Sequence, residues 1–578
     1  MCGFAFMFDK YIKPPKTNYE LMKKMISKIS YRGPDYKTIK QISPNATIGF
    51  VRLSMVDENS SFQPIFNEKK NIALLFNGEI YNNKTLTQNL KEKGHIFRTN
   101  GDGEVIVHLY EDLGLDLFSK LDGMYSICII NLNTGETIIA RDEFGIKPLF
   151  YYYNSNNLLI ASEMKSILNV MPEKNTINTF AIDLYMNCRF IPSPHTIYNE
   201  IFKLSPGEVI VFDKNIKIVN RKKHREIEES VAEVSDISSL FVENITEMVD
   251  EKIGAFLSGG IDSSLILSIA NNYQKMRSFS VGYDTDFEYD ELNIAKQFSE
   301  EIGTLNYQKI IKSLEVKKIL EKSIYHLDEP LFSSVSVCTL ELAKIAKEKG
   351  VKGVLVGDGS DELFFGYKYI HDAAKFKQLD DKYNSYFNSL GWINYKDRKK
   401  IFNDGNIINE NDFWHYMFKC TTNAEVNNYY ETVRNIEMYI RLPDYHLTRV
   451  DRLTMAYGIE ARVPYLRRNF VKTIKKIPIK NLINPLDTKI FLKQTFKDYT
   501  TDFLYRRIKQ PFTSPIKYWI ESVLWNDIRE IFNENNIIYK CYLDKKQILS
   551  LLDNYHGTQG EINKVWGVYI LLKWAQNI

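Results

Sequence analysis

The run Ala255-Phe256-Leu257-Ser258-Gly259-Gly260-Ile261-Asp262-Ser263-Ser264 decides the fold of the second half of the chain. The apolar residues 253–257 predict a short buried strand, and residues 263–270 predict a helix. The two glycines allow a tight turn and a close approach of the backbone to a ligand. A strand, a glycine turn and a helix N-terminus form an anion site, because free N–H groups and the helix dipole both point at the ligand. The serines of the run add hydroxyl donors.

Asp262 distinguishes this loop from a nucleoside-triphosphate P-loop, because Gly-Lys-Ser/Thr is absent and a carboxylate suits Mg²⁺ better than phosphate. The run matches the pyrophosphate-binding loop Ser-Gly-Gly-x-Asp-Ser of ATP pyrophosphatases, which split ATP between its α and β phosphates. This resemblance implies adenylation rather than phosphorylation. A serine-rich turn that opens an ordinary helix is the alternative.

Size and composition describe an ordinary soluble globular protein. At 578 residues the chain is too long for one core, so we expect two or three domains. A hydrophobic content of 44%, a charged content of 25% and a net charge of +3 give no strong field for nucleic acid or membranes. No apolar run approaches the ~18 residues that span a bilayer, and the first residues lack the basic region of a signal peptide. We therefore expect a cytoplasmic protein.

The six cysteines lack C-x-x-C spacing, which argues against a zinc site or a disulfide framework. Cys2 is the exception, because it becomes residue one once Met1 is removed. An α-amine with a reference pKa of about 8 then lies beside a thiol with a reference pKa of about 8.5. The amine can take the thiol proton and so activate the nucleophile without a histidine. The alternative for Cys2 is a buried residue at the start of a strand.

Polar motifs end several β-rich runs in the first half. An amphipathic helix over about 19–29 precedes Tyr31-Arg32-Gly33-Pro34-Asp35, and Arg52-Leu53-Ser54 and Leu75-Phe76-Asn77-Gly78-Glu79-Ile80-Tyr81-Asn82 follow β-rich runs. Gly101-Asp102-Gly103-Glu104 precedes a further helix. Many short strands, few helices and a reactive chain end predict a β-sandwich domain with flanking helices.

This set of motifs resembles the class II glutamine amidotransferases, whose glutaminase domain is an N-terminal nucleophile hydrolase. Together with the loop at Ser258, the chain is similar over nearly its whole length to the family of glutamine-dependent asparagine synthetase. The order and spacing of several separate motifs argue against chance agreement.

The resemblance implies a role for each residue of the glutaminase site. Cys2 attacks the glutamine amide, and Asn77 with the N–H of Gly78 holds the oxyanion, a donor pair typically worth a few kcal/mol. Arg52 pairs with the α-carboxylate of glutamine in a bidentate contact. Glu79 and Asp102 hold its α-ammonium. Without the resemblance, a salt bridge for Arg52 and a loop cap for Asp102 are the simpler interpretations.

Strands and helices alternate in the second half, which predicts a mostly parallel, doubly wound sheet with ligands at the carboxyl ends of its strands. Gly357-Asp358-Gly359-Ser360-Asp361-Glu362 follows the predicted strand 351–356, just as the serine loop follows 253–257. Its acidic residues offer oxygen ligands for Mg²⁺ or hold a substrate group. An acidic turn in solvent is the alternative.

In the family, Asp262 and Asp361 face the magnesium of ATP, and Asp358 occupies the position of an acidic residue that helps the ammonia attack. We expect Lys489 to contact the phosphates, with Lys493 as the competing choice. The implied ATP-binding residues are Leu257, Ser258, Gly259, Gly260, Asp262, Ser263, Ser264, Val281 and Gly357.

The motif His326-x-Asp328-Glu329-Pro330, the run 449–456 and the motif Ile459-Glu460-Ala461-Arg462-Val463-Pro464 match the family as well. Two departures concern the acceptor. Many relatives carry an aspartate within the run that is Leu331-Phe332-Ser333-Ser334 here, and many carry aspartate where Arg467 stands. A lost carboxylate or an added cation near the acceptor pocket would change which acid is bound.

We therefore predict three segments. Residues 1–215 form the class II glutaminase domain, 216–235 a linker, and 236–578 an ATP-pyrophosphatase synthetase domain with a helical C-terminal part. The basic run 221–225 is short and is followed by acidic residues, so we assign it to the linker rather than to a nucleic-acid site.

The predicted function is ATP- and Mg²⁺-dependent amidation of a carboxylate with ammonia from glutamine, with aspartate as the default acceptor. A sugar uronic acid or another small carboxylate is the nearest alternative. Lactam closure by an internal amine has little need for a glutaminase, and a non-catalytic sensor of ATP or glutamine is expected to lose Cys2, Ser258 or Asp262. A homodimer is left open as the assembly.

Overall fold

The structure is a computed structural model that describes residues 2–55, 62–171, 175–224, 236–403, 407–421, 428–484, 488–507, 510 and 512–577. Among the helices in these ranges, none combines the length and the apolar character that a bilayer-spanning segment needs.

The first half contains two antiparallel sheets. Its strands are β1 (Cys2–Asp9), β2 (Tyr36–Ser43), β3 (Ala46–Arg52), β4 (Ile65–Phe66), β5 (Ile72–Ile80), β6 (Gly123–Asn131), β7 (Thr137–Arg141), β8 (Phe150–Tyr153), β9 (Asn157–Ala161), β10 (Ile201–Lys203), β11 (Glu208–Phe212) and β12 (Ile218–Lys223). One sheet has the order β10-β8-β9-β1-β3-β2 and the other β12-β11-β7-β6-β5-β4.

The two sheets share a core, because successive side chains of a strand point to opposite faces and every second one lies between the sheets. Ala73 and Leu75 of β5 contact Phe4 and Phe6 of β1 between the sheets, while the intervening residues of β5 face the helix after Asp102. The predicted sandwich with flanking helices is confirmed. The helices of this half are α1 (Pro15–Ser27), α2 (Asn83–Glu92), α3 (Glu104–Leu113), α4 (Leu117–Lys120), α5 (Met164–Leu168) and α6 (Thr179–Cys188).

The structure corrects the start of the predicted linker 216–235. Strand β12 lies inside that segment and pairs with β11, so the sheet continues to Lys223. Its basic residues are those of an edge strand, where charged side chains discourage pairing with other chains. Residues 225–235 of the predicted linker lie outside the described residues.

The second half is built on a parallel sheet with the order β15-β14-β13-β16-β17. The chain fills one side of β13 first and then the other, so the direction of winding reverses between β13 and β16. Ligands bind at such a switch point, outside the carboxyl ends of the strands. The predicted doubly wound sheet is confirmed. Its strands are β13 (Ile253–Phe256), β14 (Arg277–Tyr283), β15 (Leu305–Ile311), β16 (Gly353–Leu355) and β17 (Glu460–Arg462).

Helices make up most of the remaining chain, and the last of them is buried along much of its length. A capping box between Thr558 and Glu561 fixes its N-terminus. The helices are α7 (Ile237–Thr246), α8 (Ile261–Tyr273), α9 (Leu292–Glu301), α10 (Val316–Leu327), α11 (Val335–Glu348), α12 (Ser360–Leu363), α13 (Lys368–Ala374), α14 (Leu379–Leu390), α15 (Tyr395–Ile401), α16 (Glu410–Cys420), α17 (Tyr429–Ile436), α18 (Thr448–Met455), α19 (Arg468–Lys475), α20 (Ile479–Leu482), α21 (Ile490–Thr495), α22 (Asp502–Arg506), α23 (Ile516–Tyr518), α24 (Trp525–Asn533), α25 (Ile537–Cys541), α26 (Lys545–Asp553) and α27 (Gln559–Ala575).

Candidate active sites

Cys2 opens β1 and lies beside two other predicted residues. Its Cα is paired with that of Arg52 at the end of β3, and its backbone N–H donates to Asn77 Oδ1 of β5 at 2.9 Å. Burial raises the pKa of the Cys2 thiol, and a hydrogen bond from the backbone of Leu53 opposes this shift. The thiol therefore needs a nearby base to ionise at neutral pH.

Asn77 and Gly78, the predicted oxyanion residues, are neighbours in β5. Asn77 is fully buried, and its Nδ2 has no hydrogen-bond partner within the part of the chain that the structure describes. A buried amide without a partner is costly, and a ligand oxygen would satisfy it. A Cβ atom on Gly78 would lie 2.0 Å from the carbonyl oxygen of Met124, so the close strand spacing requires glycine there.

Glu79 and Asp102 place two carboxylates near the end of β5. Asp102 Oδ2 accepts the backbone N–H of Ile80 at 2.8 Å. Burial raises the pKa of Asp102 to about 6 and that of Glu79 to about 7. Arg462 of β17 lies 3.0 Å from Glu79 Oε2 and opposes the shift of Glu79. The pair can attract an ammonium group, most strongly above neutral pH.

The serine loop connects β13 to α8 at the switch point of the sheet. Gly259 has a φ of +82°, which glycine adopts without strain. Ser263 Oγ accepts the N–H of Ser258 at 3.2 Å, and Ser258 Oγ accepts that of Gly260 at 3.3 Å. The Oγ of Ser264 is buried without a hydrogen-bond partner among the described residues. The loop is thus held in shape by its own hydroxyls.

Leu257 and Val281, two of the residues implied to bind ATP, lie next to this loop. The N–H of Leu257 donates to the carbonyl oxygen of Phe279 in β14 at 2.9 Å, which joins the end of β13 to the strand that carries Val281. Both Leu257 and Val281 are buried.

Lys489 lies between the two carboxylates predicted to hold magnesium. Its Nζ is 2.5 Å from Asp262 Oδ1 and 2.6 Å from Asp361 Oδ1, and the hydroxyl of Ser360 donates to Asp262 Oδ1 at 2.7 Å. The Nζ of Lys493 instead donates to the backbone oxygen of Arg507 at 3.2 Å. The geometry therefore favours Lys489 over Lys493 as the lysine of this group.

This acidic group suits Mg²⁺. Asp262 and Asp361 both contact the same cation, the Lys489 ammonium. Proteins commonly bind Mg²⁺ together with ATP through one or two carboxylates. Two glycines lie close to the group. A Cβ atom on Gly366 would lie 1.8 Å from Asp361 Oδ1, and one on Gly357 would lie 3.1 Å from Asp262 Cβ.

Asp358 follows β16 and forms an ion pair with Arg449, with Nη2 3.4 Å from Oδ1. Burial raises the pKa of Asp358, while Arg449 opposes the shift. Burial also raises the pKa of Glu362 to about 7, and Tyr367 donates its hydroxyl to that carboxylate at 2.6 Å. Carboxyl groups with raised pKa values are suited to accept protons near neutral pH.

Two arginines near the sites carried no predicted role. Arg507 donates to the carbonyl oxygen of Gly259 at 2.7 Å and pairs with Glu291 at 2.6 Å, which fixes the serine loop from its outer side. The sequence around Arg507 did not indicate this contact with the serine loop. Arg462 lies inside the motif 459–464, which matched the family without indicating a partner.

Arg467, one of the two departures, is held in two ion pairs. It pairs with Asp122 of the first half at 3.1 Å and with Glu247 at 2.6 Å. At the other departure, Ser334 Oγ accepts the hydroxyl of Ser514. The added positive charge at 467 is therefore neutralised at the contact between the two halves.

The remaining motif matches form a buried ion cluster between the halves. Arg32 lies 2.8 Å from Glu163 and 2.9 Å from Asp451. Lys165 lies 2.7 Å from Asp328, and Arg452 lies 3.0 Å from Glu163. Arg32 also donates to the backbone oxygen of Cys2 at 3.2 Å, so the cluster reaches the backbone of Cys2.

Two protein-family models match the chain. The model described as glutamine amidotransferase domain matches residues 1–223, and the model described as asparagine synthase matches residues 241–576. The chain belongs to the asparagine synthase family. The predicted family, and with it the predicted amidotransferase type of ligase, is confirmed.

Members of the asparagine synthase family from distant organisms match most of the chain. Asparagine synthetase [glutamine-hydrolyzing] 1 of Bacillus subtilis is 29% identical, over 99% of this chain and 96% of that protein. Asparagine synthetase B [glutamine-hydrolyzing] of Escherichia coli is 28% identical, over 90% of this chain and 84% of that protein. A putative asparagine synthetase [glutamine-hydrolyzing] 2 of Methanocaldococcus jannaschii is 32% identical, over 64% and 76%.

Proposed function

We propose that this family member converts aspartate to asparagine, with ammonia freed from glutamine and with cleavage of ATP to AMP and pyrophosphate. The observation that carries the proposal is the presence of two assembled sites in one chain. Cys2 is hydrogen-bonded to Asn77 at one site, and Lys489 bridges Asp262 and Asp361 at the other. The names of the relatives, which match over nearly their whole length, supply aspartate as the acceptor.

At the first site, the Cys2 thiolate attacks the amide carbon of glutamine after the α-amine takes the thiol proton. The Nδ2 of Asn77, which is buried without a partner among the described residues, donates to the oxyanion together with the N–H of Gly78. Arg52 holds the α-carboxylate of glutamine, and Glu79 with Asp102 holds its α-ammonium. Ammonia leaves, and water releases glutamate from the thioester.

At the second site, backbone N–H groups and hydroxyls of the serine loop hold the phosphates of ATP. Lys489 neutralises charge that builds up on pyrophosphate as the acceptor carboxylate attacks the α-phosphorus. Mg²⁺ bound with ATP would be held by Asp262 and Asp361, and would supply further charge neutralisation.

Ammonia then attacks the acyl carbon of the adenylate, and AMP leaves. Asp358, whose pKa is raised by burial, accepts a proton from the attacking nitrogen. Because Arg449 pairs with Asp358, it keeps part of that carboxyl group ionised and ready to act as a base.

The test is pyrophosphate release with ATP, Mg²⁺ and glutamine, with and without aspartate, followed by mass spectrometry of the products. Stimulation by aspartate with equal amounts of asparagine and AMP supports the proposal. Glutamine hydrolysis without any response to aspartate would reject this acceptor, and a panel of uronic acids and their nucleotide-linked forms would then be tested.

A Cys2→Ala variant separates the two sites. It is expected to lose glutamine hydrolysis and to keep amide formation from added ammonium, because the second site does not use the thiol. A folded Cys2→Ala variant that is also inactive with ammonium would contradict the division of labour between the sites.

A further inference from the structure

Two histidines and two glutamates meet in the first half of the chain, apart from the residues assigned to either site. Glu68 lies between β4 and β5, His95 follows α2, and His108 and Glu111 lie on α3. One ligand atom from each of the four residues lies within 4.8 Å of the others. We call these four residues the His–Glu cluster.

His108 is the least accessible member, with 1% of its surface exposed. Neither of its ring nitrogens has a hydrogen-bond partner within the described residues, and the same holds for Glu111 Oε2. Nδ1 of His108 lies 3.4 Å from Glu68 Oε2 and 3.6 Å from Glu111 Oε2. Because a buried polar group without a partner is costly, His108 Nδ1 and Glu111 Oε2, which face each other, indicate a bound ligand between them.

Contacts with residues outside the cluster hold His95 and Glu111 so that His95 Nδ1 and Glu111 Oε2 are turned inward. Nε2 of His95 lies 3.1 Å from Asp112 Oδ1, while its Nδ1 faces Glu68 Oε1 at 3.5 Å. Glu111 Oε1 accepts the amide of Asn67 at 2.9 Å, which leaves Oε2 turned inward.

His108 has a carboxylate behind it as well, because its Nε2 lies 3.7 Å from Glu104 Oε1. Each histidine therefore has its own outer carboxylate, Asp112 for His95 and Glu104 for His108. A carboxylate behind each histidine is the usual arrangement around protein-bound metals, because it fixes the ring and makes it a stronger donor.

The spacing fits a small tetrahedral ion. Bonds of about 2.0–2.1 Å to nitrogen and oxygen place neighbouring ligand atoms about 3.4 Å apart. Three contacts in the cluster, which use both oxygens of Glu68, are 3.4, 3.5 and 3.6 Å long, and the ligand atoms that lie farther apart, up to 4.8 Å, must move closer to bind one ion. A cluster of ion pairs around a protonated His108 is the competing explanation, and it requires no metal.

We propose that the His–Glu cluster binds a divalent transition-metal ion, preferentially Zn²⁺. Two imidazoles and two carboxylates suit Zn²⁺ better than Mg²⁺ or Ca²⁺, which prefer oxygen ligands alone. Four protein ligands close the coordination sphere, so the site is structural. The sequence argument against zinc relied on cysteine spacing, and this donor set contains no cysteine.

The metal would brace the segment that leads to Asp102. Glu104, behind His108, accepts the backbone N–H groups of Arg98 and Thr99, each at 2.8 Å. The ion thereby joins the turn before β5, the segment after α2 and the second half of α3. The metal ion does not contact substrate. It affects glutamine binding by fixing the position of Asp102.

The test uses the full-length chain without a histidine tag and with Cys2→Ala, which removes the thiol as a competing ligand. After removal of metals with EDTA and dialysis against buffered zinc chloride, about one zinc per chain is expected by mass spectrometry of the metal content. His95→Asn is expected to weaken zinc affinity at least about tenfold. His415→Asn, at an exposed histidine on α16, is the matched control and should bind like the parent.

The melting temperature provides a second measurement that does not depend on the metal analysis. Zinc chloride should raise it in the metal-free parent and in His415→Asn, but much less in His95→Asn. Uptake of Co²⁺ or Ni²⁺ with the same dependence on His95 also supports the site. A metal-free chain that takes up no ion and shows no shift overturns the proposal, as does full zinc binding by the double variant His95→Asn with Glu111→Gln.

Discussion

Arg462 in β17 of the second half lies 3.0 Å from Glu79 in β5 of the first half. The same guanidinium donates to Glu460 at 2.8 Å and to the backbone oxygen of Met248 at 2.6 Å. A carboxylate proposed to bind glutamine is therefore partly charged because a cation from the other half opposes its burial. We therefore expect glutamine binding at the first site to depend on the position of Arg462 in the second half.

Arg462→Gln is expected to raise the KM for glutamine about fivefold at pH 7, because loss of the cation raises the pKa of Glu79, and a rise of one unit from about 7 lowers the charged fraction from about one half to about one tenth. Part of the loss should be recovered at pH 8.5, where Glu79 ionises. The measurement is glutamate release at both pH values, with Arg277→Gln, at the start of β14, as the control. An unchanged KM at both pH values would reject the coupling.

The unmodified protein should bind glutamine more weakly as the pH falls from 8 to 5.5. Burial raises the pKa of Glu79 to about 7 and that of Asp102 to about 6, so each carboxylate is charged above its pKa and neutral below it. Protonation removes the attraction for the α-ammonium, and the KM rises in two overlapping steps. Asp102→Asn should abolish the lower step. A KM independent of pH in this range would argue against both roles.

Lys489→Met is expected to reduce pyrophosphate release by about 10²-fold or more, because the cation that stabilises the leaving group is lost. Lys493→Met is the matched control, since its Nζ contacts the Arg507 backbone instead of the acidic group. It should retain most of the activity. Glutamine hydrolysis should survive in both variants. Equal losses in the two variants would remove the distinction between these lysines.

Arg32→Met tests the ion cluster between the halves. Arg32 and Glu163 are both fully buried, and removal of one partner of a buried pair typically costs about 3–5 kcal/mol. The urea midpoint of unfolding should fall clearly, whereas Lys24→Met on the exposed face of α1 should leave it nearly unchanged. A midpoint that is the same for Arg32→Met as for the unmodified chain would show that the cluster adds no stability.

Local pattern was sufficient for the elements that carry the second site. The strand predicted over 253–257 is found as β13 at Ile253–Phe256, and the helix predicted from residue 263 begins at Ile261. Alternation of apolar runs with glycine turns determines these elements within a few residues of chain. The same reasoning located α3, which begins at Glu104 directly after the predicted turn.

Local sequence patterns could not predict contacts between distant segments. Arg462 and Glu79 are separated by 383 positions, and neither sequence context names its partner. Strand β12 was mistaken for linker because an edge strand can carry charges on both faces. The His–Glu cluster draws Glu68 and His95 from separate loops, so only the spacing of His108 and Glu111 on α3 was visible beforehand.

The buried ion cluster has a consequence for limited proteolysis. Arg32, Glu163, Asp328 and Asp451 are held to each other across the two halves, and apolar residues of α1 share one continuous core with those of α18. A single protease cut within 225–235 would therefore leave two fragments that stay together. Gel filtration of the nicked protein would show one particle of the original size, and separation would require denaturant.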